Sequence, residues 1–414
     1  MKILTVNISD IQGGAARAAY RLHKALLVEN VDSEMLVAHK YSDDFRVRSI
    51  NHTKKQKGLN LLRPTIDNFP VTFYKSKSAT AFSPAIVGFS GVIESINNVC
   101  ADIVHLHWIC ASMVRLEDLA KINAPIVWSL HDMWVFTGGC HYDEGCGAYE
   151  QECGNCVVLR SGKNNDLSKK VYKRKEKVYS KIDNMTIVGL SSWLSLAAKK
   201  SSLLENKRHI NLPNSIDTSI FKPFDKIKAR ELCSLPQHTK LVLFGAMGAT
   251  SDPRKGFNQL REVFYNLKGK QNIELVVLGS SEPEISQNLG LKTHYLGKLI
   301  DNIGLITLYS AVDVVVVPSL QENLSNVIME SLSCGTPVVG FNIGGNGDMV
   351  EHKKSGYLVE AFKCDDMAEG ILWVVDDNNH DKLSKYAREK VLKEFDSKVV
   401  SKKYIELYKE VLNG

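Results

Sequence analysis

The sequence predicts an α/β protein built from two Rossmann-like, doubly wound domains. Three observations predict it. Short apolar runs alternate with helix-patterned segments from end to end, as in parallel sheets covered by helices. Many of the runs are continuous in Val, Ile and Leu rather than alternating, as strands buried on both faces are. The series also starts twice, at Lys2 and again at Lys240, and 414 residues are enough for two or three domains of roughly 150 each.

The first series places strands at Lys2–Ile8, Glu34–Ala38, Asp102–His107, Pro125–His131 and Thr186–Leu190. The second places them at Lys240–Gly245, Ile273–Gly279, Asp313–Val317 and Pro337–Phe341. Helices are expected between them, among others over Gly14–Glu29, Phe257–Gly269, Glu322–Cys334 and Asp365–Val375. Pro213 and Pro223 punctuate the stretch around Leu212–Asp217 before the pattern restarts. The expected division is an N-terminal domain at 1–212 with a cysteine-rich insert at 140–156, and a C-terminal domain at 213–395. A final helix at 396–414 is expected to pack back on the first domain. Ligands of open α/β sheets bind outside the carboxyl ends of strands, so two facing sheets would hold a ligand in the cleft between them.

Composition narrows the function classes. Hydrophobic residues at 44% and charged residues at 24% are ordinary globular values. A net charge of +6, from 52 basic and 46 acidic residues, is too mild to imply nucleic acid, and no recognition module is visible. No apolar run approaches the roughly 18–20 residues that span a bilayer. The first ten residues read as a strand rather than a signal peptide, so a cytoplasmic chain is expected. Cys100, Cys110, Cys233, Cys334 and Cys364 are then most simply reduced and buried. The charge is uneven: Arg160–Lys181 holds nine Lys or Arg against two acidic residues, and Lys54–Lys77 holds six against Asp67 alone. The first stretch reads as a solvated helix face or as a surface for anionic lipid. The second interleaves Leu59, Leu61, Leu62, Phe69, Phe73 and Tyr74 with its charges and suits a membrane-surface segment.

Three motifs carry chemistry. The first strand runs into Gly13-Gly14 before a helix, where backbone N–H groups can approach an anion; the pattern is not Gly-x-Gly-x-x-Gly, and the plain alternative is a βα turn. The second half opens with Phe244-Gly245-Ala246-Met247-Gly248 and then Arg254-Lys255-Gly256, which pairs N–H donors with two cations as a diphosphate requires. The third is Ser319–Glu330, with glutamates at 322 and 330. Glu322 is expected at the mouth of the helix. Glu330 is expected inside it, where an unpaired carboxylate would be costly.

The Glu-x7-Glu segment, the following Cys334-Gly335-Thr336-Pro337 and Gly344-Gly345, the Lys255-Gly256 loop, Asn214-Ser215-Ile216-Asp217 and Ser129-Leu130-His131-Asp132 resemble retaining glycosyltransferases of family 4, which have the GT-B fold. The matches run in the family's order along nearly the whole chain. The resemblance implies a donor diphosphate on Lys255. The family's usual upstream arginine is missing from Gly248–Pro253, so Arg254 is the expected substitute. It implies sugar hydroxyls at Glu322, the ribose at Glu330, phosphates at the N–H groups of Leu324 and Ser325, and the base at the backbone around Leu299. His131 is implied at the reacting sugar. Retention without an enzymic nucleophile and without a catalytic cofactor follows from the same resemblance. The implied partners are a UDP- or GDP-linked donor and a glycan or lipid-linked acceptor, with a role in bacterial surface polysaccharide assembly; the basic stretches add peripheral contact with the inner face of an anionic membrane as a further expected partner. A sugar-nucleotide epimerase of the same shape and a non-catalytic carbohydrate- or lipid-surface-binding protein stand as alternatives.

Cys140, Cys146, Cys153 and Cys156 crowd into seventeen positions. Four sulfurs in a cytoplasmic chain are expected to hold a structural zinc, with His141 able to replace one of them. Disulfides and free thiols are the other readings.

Overall fold

The computed structural model describes residues 1–50, 54–245, 253–269, 272–279, 290–299 and 301–414. The chain divides into two compact units. One is Met1–Asn214 with Val400–Gly414, and the other is Ser215–Val399.

The first unit carries β1 (Lys2–Ser9), β2 (Asp32–His39), β3 (Val47–Ser49), β4 (Ile103–Leu106), β5 (Ile126–Leu130), β6 (Met185–Gly189) and β7 (Arg208–Asn211). They form a seven-stranded sheet ordered β3-β2-β1-β4-β5-β6-β7, parallel throughout, with Thr5 opposite both Met35 and His105. β4 and β5 are buried at every position, which is why their sequences are unbroken apolar runs rather than alternating ones. The helix Ser397–Asn413 ends the chain, and its Val400, Tyr404, Leu407 and Tyr408 bury against Ile3, Leu22, Ile103 and Val127 of this unit.

The second unit carries β8 (Lys240–Gly245), β9 (Ile273–Leu278), β10 (Thr293–Tyr295), β11 (Val314–Val317), β12 (Val338–Phe341) and β13 (Gly356–Val359). Their order is β10-β9-β8-β11-β12-β13, again parallel. Apolar clusters pack on both faces of this sheet. In both units the order reverses beside the first strand, between β1 and β4 and between β8 and β11. Those reversals open crevices at the strand carboxyl ends, where ligands of such sheets bind.

Candidate active site

In the second unit β8 ends at Gly245, and the glycine-rich loop expected at Ala246–Asp252 lies outside the described residues. The chain re-enters in a short turn, Pro253–Lys255, followed by Gly256 at φ 73°. A side chain at Gly256 would sit 1.8 Å from the Pro318 carbonyl oxygen, so only glycine lets this loop lie on the end of β11. The Leu320 N–H donates to the Arg254 carbonyl at 2.7 Å and closes the same junction. The result places the Lys255 ammonium 3.0 Å from Glu322 Oε2, with both side chains largely shielded. A small cavity of about 20 Å³ opens beside them, lined by Gly245, Lys255, Ser319, Glu322 and Ser325. It lies at the carboxyl ends of β8 and β11.

The helix expected over Glu322–Cys334 begins only at Asn326 and ends at Ser333, with Ser325 as its N-cap. Glu322 therefore stands four residues before the first helical residue, in the irregular segment that follows β11, not at the helix mouth. Gly344 fixes that segment: at φ 50°, a side chain there would lie 1.7 Å from the Glu322 carbonyl oxygen. Leu324 and Ser325 are buried just before the helix. Among the described residues their backbone N–H groups donate to no other backbone group, and N–H groups at a helix start lack intrahelical partners. Glu330 lies in the second turn, 3% exposed, and accepts the Tyr309 hydroxyl at 3.1 Å. The sequence argument saw the cost of burying this carboxylate. It missed the tyrosine, which sits on another helix twenty-one residues away. Leu299 follows β10 and packs partly buried against the core, just past the point where the Gly279 N–H, after β9, donates to the Gly297 carbonyl, after β10.

The remaining expected site residues belong to the first unit. Gly13 has φ 98° and caps the helix Gly14–Val28, so the turn after β1 needs glycine for its backbone rather than for space. Asp10, fully buried beside it, accepts the N–H groups of Ile11, Tyr41 and Ser42 and ties the ends of β1 and β2 together. His131 stands just past β5, with its Nε2 2.9 Å from Nδ1 of His107, just past β4. Burial pushes His131 down to about 4 and His107 well below its usual range. The pair is therefore neutral near pH 7, one ring donating to the other. His105 continues the row one layer deeper, bonded to the Tyr408 hydroxyl and the Ser129 hydroxyl.

Asp132 anchors a second network. Its carboxylate accepts Trp108 Nε1–H at 2.9 Å and the Trp134 N–H at 2.8 Å, and lies 2.6 Å from His141 Nδ1. Burial alone would raise the pKa of Asp132, but His141 and these donors hold it below the usual carboxylate range. His141 Nε2 meets the Ser83 hydroxyl at 2.9 Å. Both nitrogens of His141 are thus engaged, so it is not placed to replace a sulfur on a metal. The four cysteines lie near one another: burial raises Cys140 well above the usual thiol range, and Cys156, Cys153 and Cys146 add to it. Cys140, Cys153 and Cys156 are buried while Cys146 is exposed. Among the described residues no three His, Cys, Asp or Glu side chains form a group able to hold a metal ion. The cationic helix Leu167–Tyr179 also departs from a purely solvated face. Its Lys175 is fully buried, donates to the carbonyls of Trp134 and Thr137, and lies 3.9 Å from the Trp134 ring centre.

Comparison with known proteins places these observations. The family model "Glycosyl transferases group 1" matches residues 238–390. An uncharacterised glycosyltransferase of Methanocaldococcus jannaschii is 27% identical over 193 residues, 45% of this chain. The chain spans about half the length of that relative, 48%. The putative colanic acid biosynthesis glycosyl transferase WcaC of Escherichia coli is 24% identical over 366 residues, 82% of each chain. Anabaena HepE, solved in complex with UDP-glucose, covers 99% of this chain and 100% of its own with a TM-score of 0.65 at 16% identity. The fold class is GT-B. The matched family segment contains Lys255, Glu322 and Glu330, whereas Gly13, His131 and the cysteine-rich insert lie outside it.

Proposed function

We propose that the chain is a retaining glycosyltransferase that moves a sugar from a UDP- or GDP-linked donor to a glycan or lipid-linked acceptor in bacterial surface polysaccharide assembly. The observation that carries this reading is the Lys255–Glu322 pair at the carboxyl ends of β8 and β11, inside the segment that matches the group 1 model. The colanic acid relative and the UDP-glucose complex of HepE support the pathway class and the donor class.

Glu322 pairs with Lys255. Donor entry exchanges the carboxylate for a phosphate at the ammonium and turns Glu322 toward sugar hydroxyls. Arg254 and the N–H groups of Leu324 and Ser325 add positive potential where the leaving diphosphate gains charge. Glu330, oriented by Tyr309, takes the ribose, and the backbone at Leu299 takes the base. His131, neutral through burial, lines the reacting sugar as a hydrogen-bonding group. The bond from the anomeric carbon to the diphosphate oxygen breaks, and a bond to the acceptor oxygen forms on the same face. The acceptor's proton passes to the departing phosphate. No enzymic nucleophile takes part, in contrast to the carboxylate pairs of glycosidases, and the protein acts by positioning and fixed charge. The cations replace a catalytic divalent metal.

The test is kinetic. Free nucleoside diphosphate should appear only when an acceptor is added, and should still appear in EDTA. Glu322→Gln should lower turnover strongly and leave UDP or GDP binding nearly unchanged, whereas Glu330→Gln should weaken the free nucleotide. Strict dependence on Mg²⁺ or Mn²⁺, or equal loss of nucleotide affinity in both variants, would overturn the assignment.

A further inference from the structure

The helix Lys54–Asn68 in the first unit is inverted. Its inward face is polar: Asn60 and Asp67 are buried and Arg63 is half-buried between them. The Asp67 carboxylate accepts the N–H groups of Ala85, Ile86 and Val87, and the Arg63 guanidinium donates to the Gly88 carbonyl. Positions 60, 63 and 67 share one face of a helix. An exposed row beside that face carries Leu59, Leu62 and Ile66, Leu61 is exposed on the other flank, and the row continues through Phe69 and Phe73 of the next short helical turn. All six are exposed, from 56% at Ile66 to 72% at Leu61. A water-facing helix turns its leucines inward and its charges out. This one turns Asn60, Arg63 and Asp67 toward the protein and leaves an apolar strip outside, as interaction surfaces do.

The end of the strip meets a cavity of about 490 Å³, whose walls include Phe73, Tyr74, Lys75, Arg160, Lys163 and Lys170. Tertiary folding alone joins these two basic stretches of the sequence. Four cations line the cavity and no carboxylate does. The nearby Asp166 is turned into the protein, where it accepts the N–H groups of Cys156 and Lys169 and the hydroxyls of Ser161 and Ser168. The helix Leu167–Tyr179 starts at the cavity wall and adds the positive end of its dipole.

We propose that this is a bilayer-docking surface. The Leu/Ile/Phe strip enters the acyl boundary of an anionic membrane, and the phosphate of one lipid seats in the cationic cavity. Charge selects the occupant: an apolar strip alone would suit any greasy partner, but a strip ending in four cations that make no ion pair among the described residues complements an anionic amphiphile. The surface belongs to the first unit alone and stands whether or not the chain transfers sugar.

Co-sedimentation tests it. Vesicles of phosphatidylcholine mixed with phosphatidylglycerol should carry the full chain down, and vesicles of phosphatidylcholine alone should bind it far less. Arg160→Glu with Lys163→Glu should weaken binding by about tenfold or more. Leu62→Ser with Phe69→Ser, at sites already in water, should do the same by about tenfold or more. Melting temperatures of both double variants, measured alongside, establish that they are folded, and Arg160→Lys should retain binding. Equal binding to both vesicle types, no binding to either, or folded double variants that bind like the wild type would overturn the proposal.

Discussion

The two units share a sheet topology but build their chemistry differently. In the second, the candidate site rests on backbone shape. Gly256 and Gly344 let loops touch where any side chain would collide, and one short segment, Ser319–Glu330, supplies most of the polar groups. In the first, it rests on buried side chains at the neighbouring strands β4 and β5 and the loop that follows them: His105, His107 and His131 in a row, Asp132 with His141 and Ser83, and Lys175 of the helix Leu167–Tyr179 on the carbonyls of Trp134 and Thr137. The group 1 family model matches 238–390, within the second unit.

The largest expected effect separates the glycines. Gly344→Ala must place a carbon 1.7 Å from the Glu322 carbonyl oxygen at a positive φ. Strain and overlap together should remove about 2–5 kcal/mol of stability from the second unit. Gly13→Ala, at φ 98° but with no atom within 4 Å, should cost only about 1–2 kcal/mol. Urea unfolding of the two variants checks the difference. Equal losses would mean that backbone contact does not distinguish the units.

The next effect separates binding from turnover. Lys255→Ala should weaken nucleoside diphosphate binding by about 1.5–3 kcal/mol, the size of a charged hydrogen bond, or roughly ten- to a hundredfold. His131→Ala should leave that affinity nearly intact and slow transfer. Calorimetry with UDP and GDP, beside initial rates, reads both. A nucleotide affinity that depends on His131 as much as on Lys255 would break the division between the units.

A third effect is a slope with pH. Burial pushes Lys175 down from 10.5 to about 7. Between those values the unfolded chain binds more protons at this group than the folded one, so its contribution makes stability rise with pH across that window. Below about 7 the buried charge costs its full amount. Buried thiols such as Cys153, which burial raises to about 12, act in the opposite sense above their usual range. Lys175→Met, read as a difference from wild type in thermal unfolding, cancels the thiols and should flatten the rise from pH 7 to 10. An unchanged slope would mean that Lys175 is not the group responsible.

Legibility followed burial. The nine strands read from the sequence are the interior strands of the two sheets. The four that escaped, β3, β7, β10 and β13, are the edges. Edge strands have one neighbour and more solvent, so sequences such as Arg208-His209-Ile210-Asn211 and Thr293-His294-Tyr295 lack the apolar run that betrays a buried strand. The start of the helix at Asn326 escaped for a related reason. Glu322 through Ser325 would suit a first helical turn, but Gly344 and Lys255, far along the chain, hold that segment irregular.

The α/β class and the two sheets are legible in the sequence alone, because hydrophobic periodicity is a local quantity. Only the tertiary structure decided which partners the site residues meet. It gave Lys255 to Glu322, Glu330 to Tyr309, His131 to His107, and it paired His141 with Asp132 and Ser83 instead of the cysteines. It also turned the leucines of Lys54–Asn68 outward, because Asp67 finds three backbone donors inside. A residue's chemistry is written in its side chain, but its partner and its solvent are set by contacts that no local window of sequence contains.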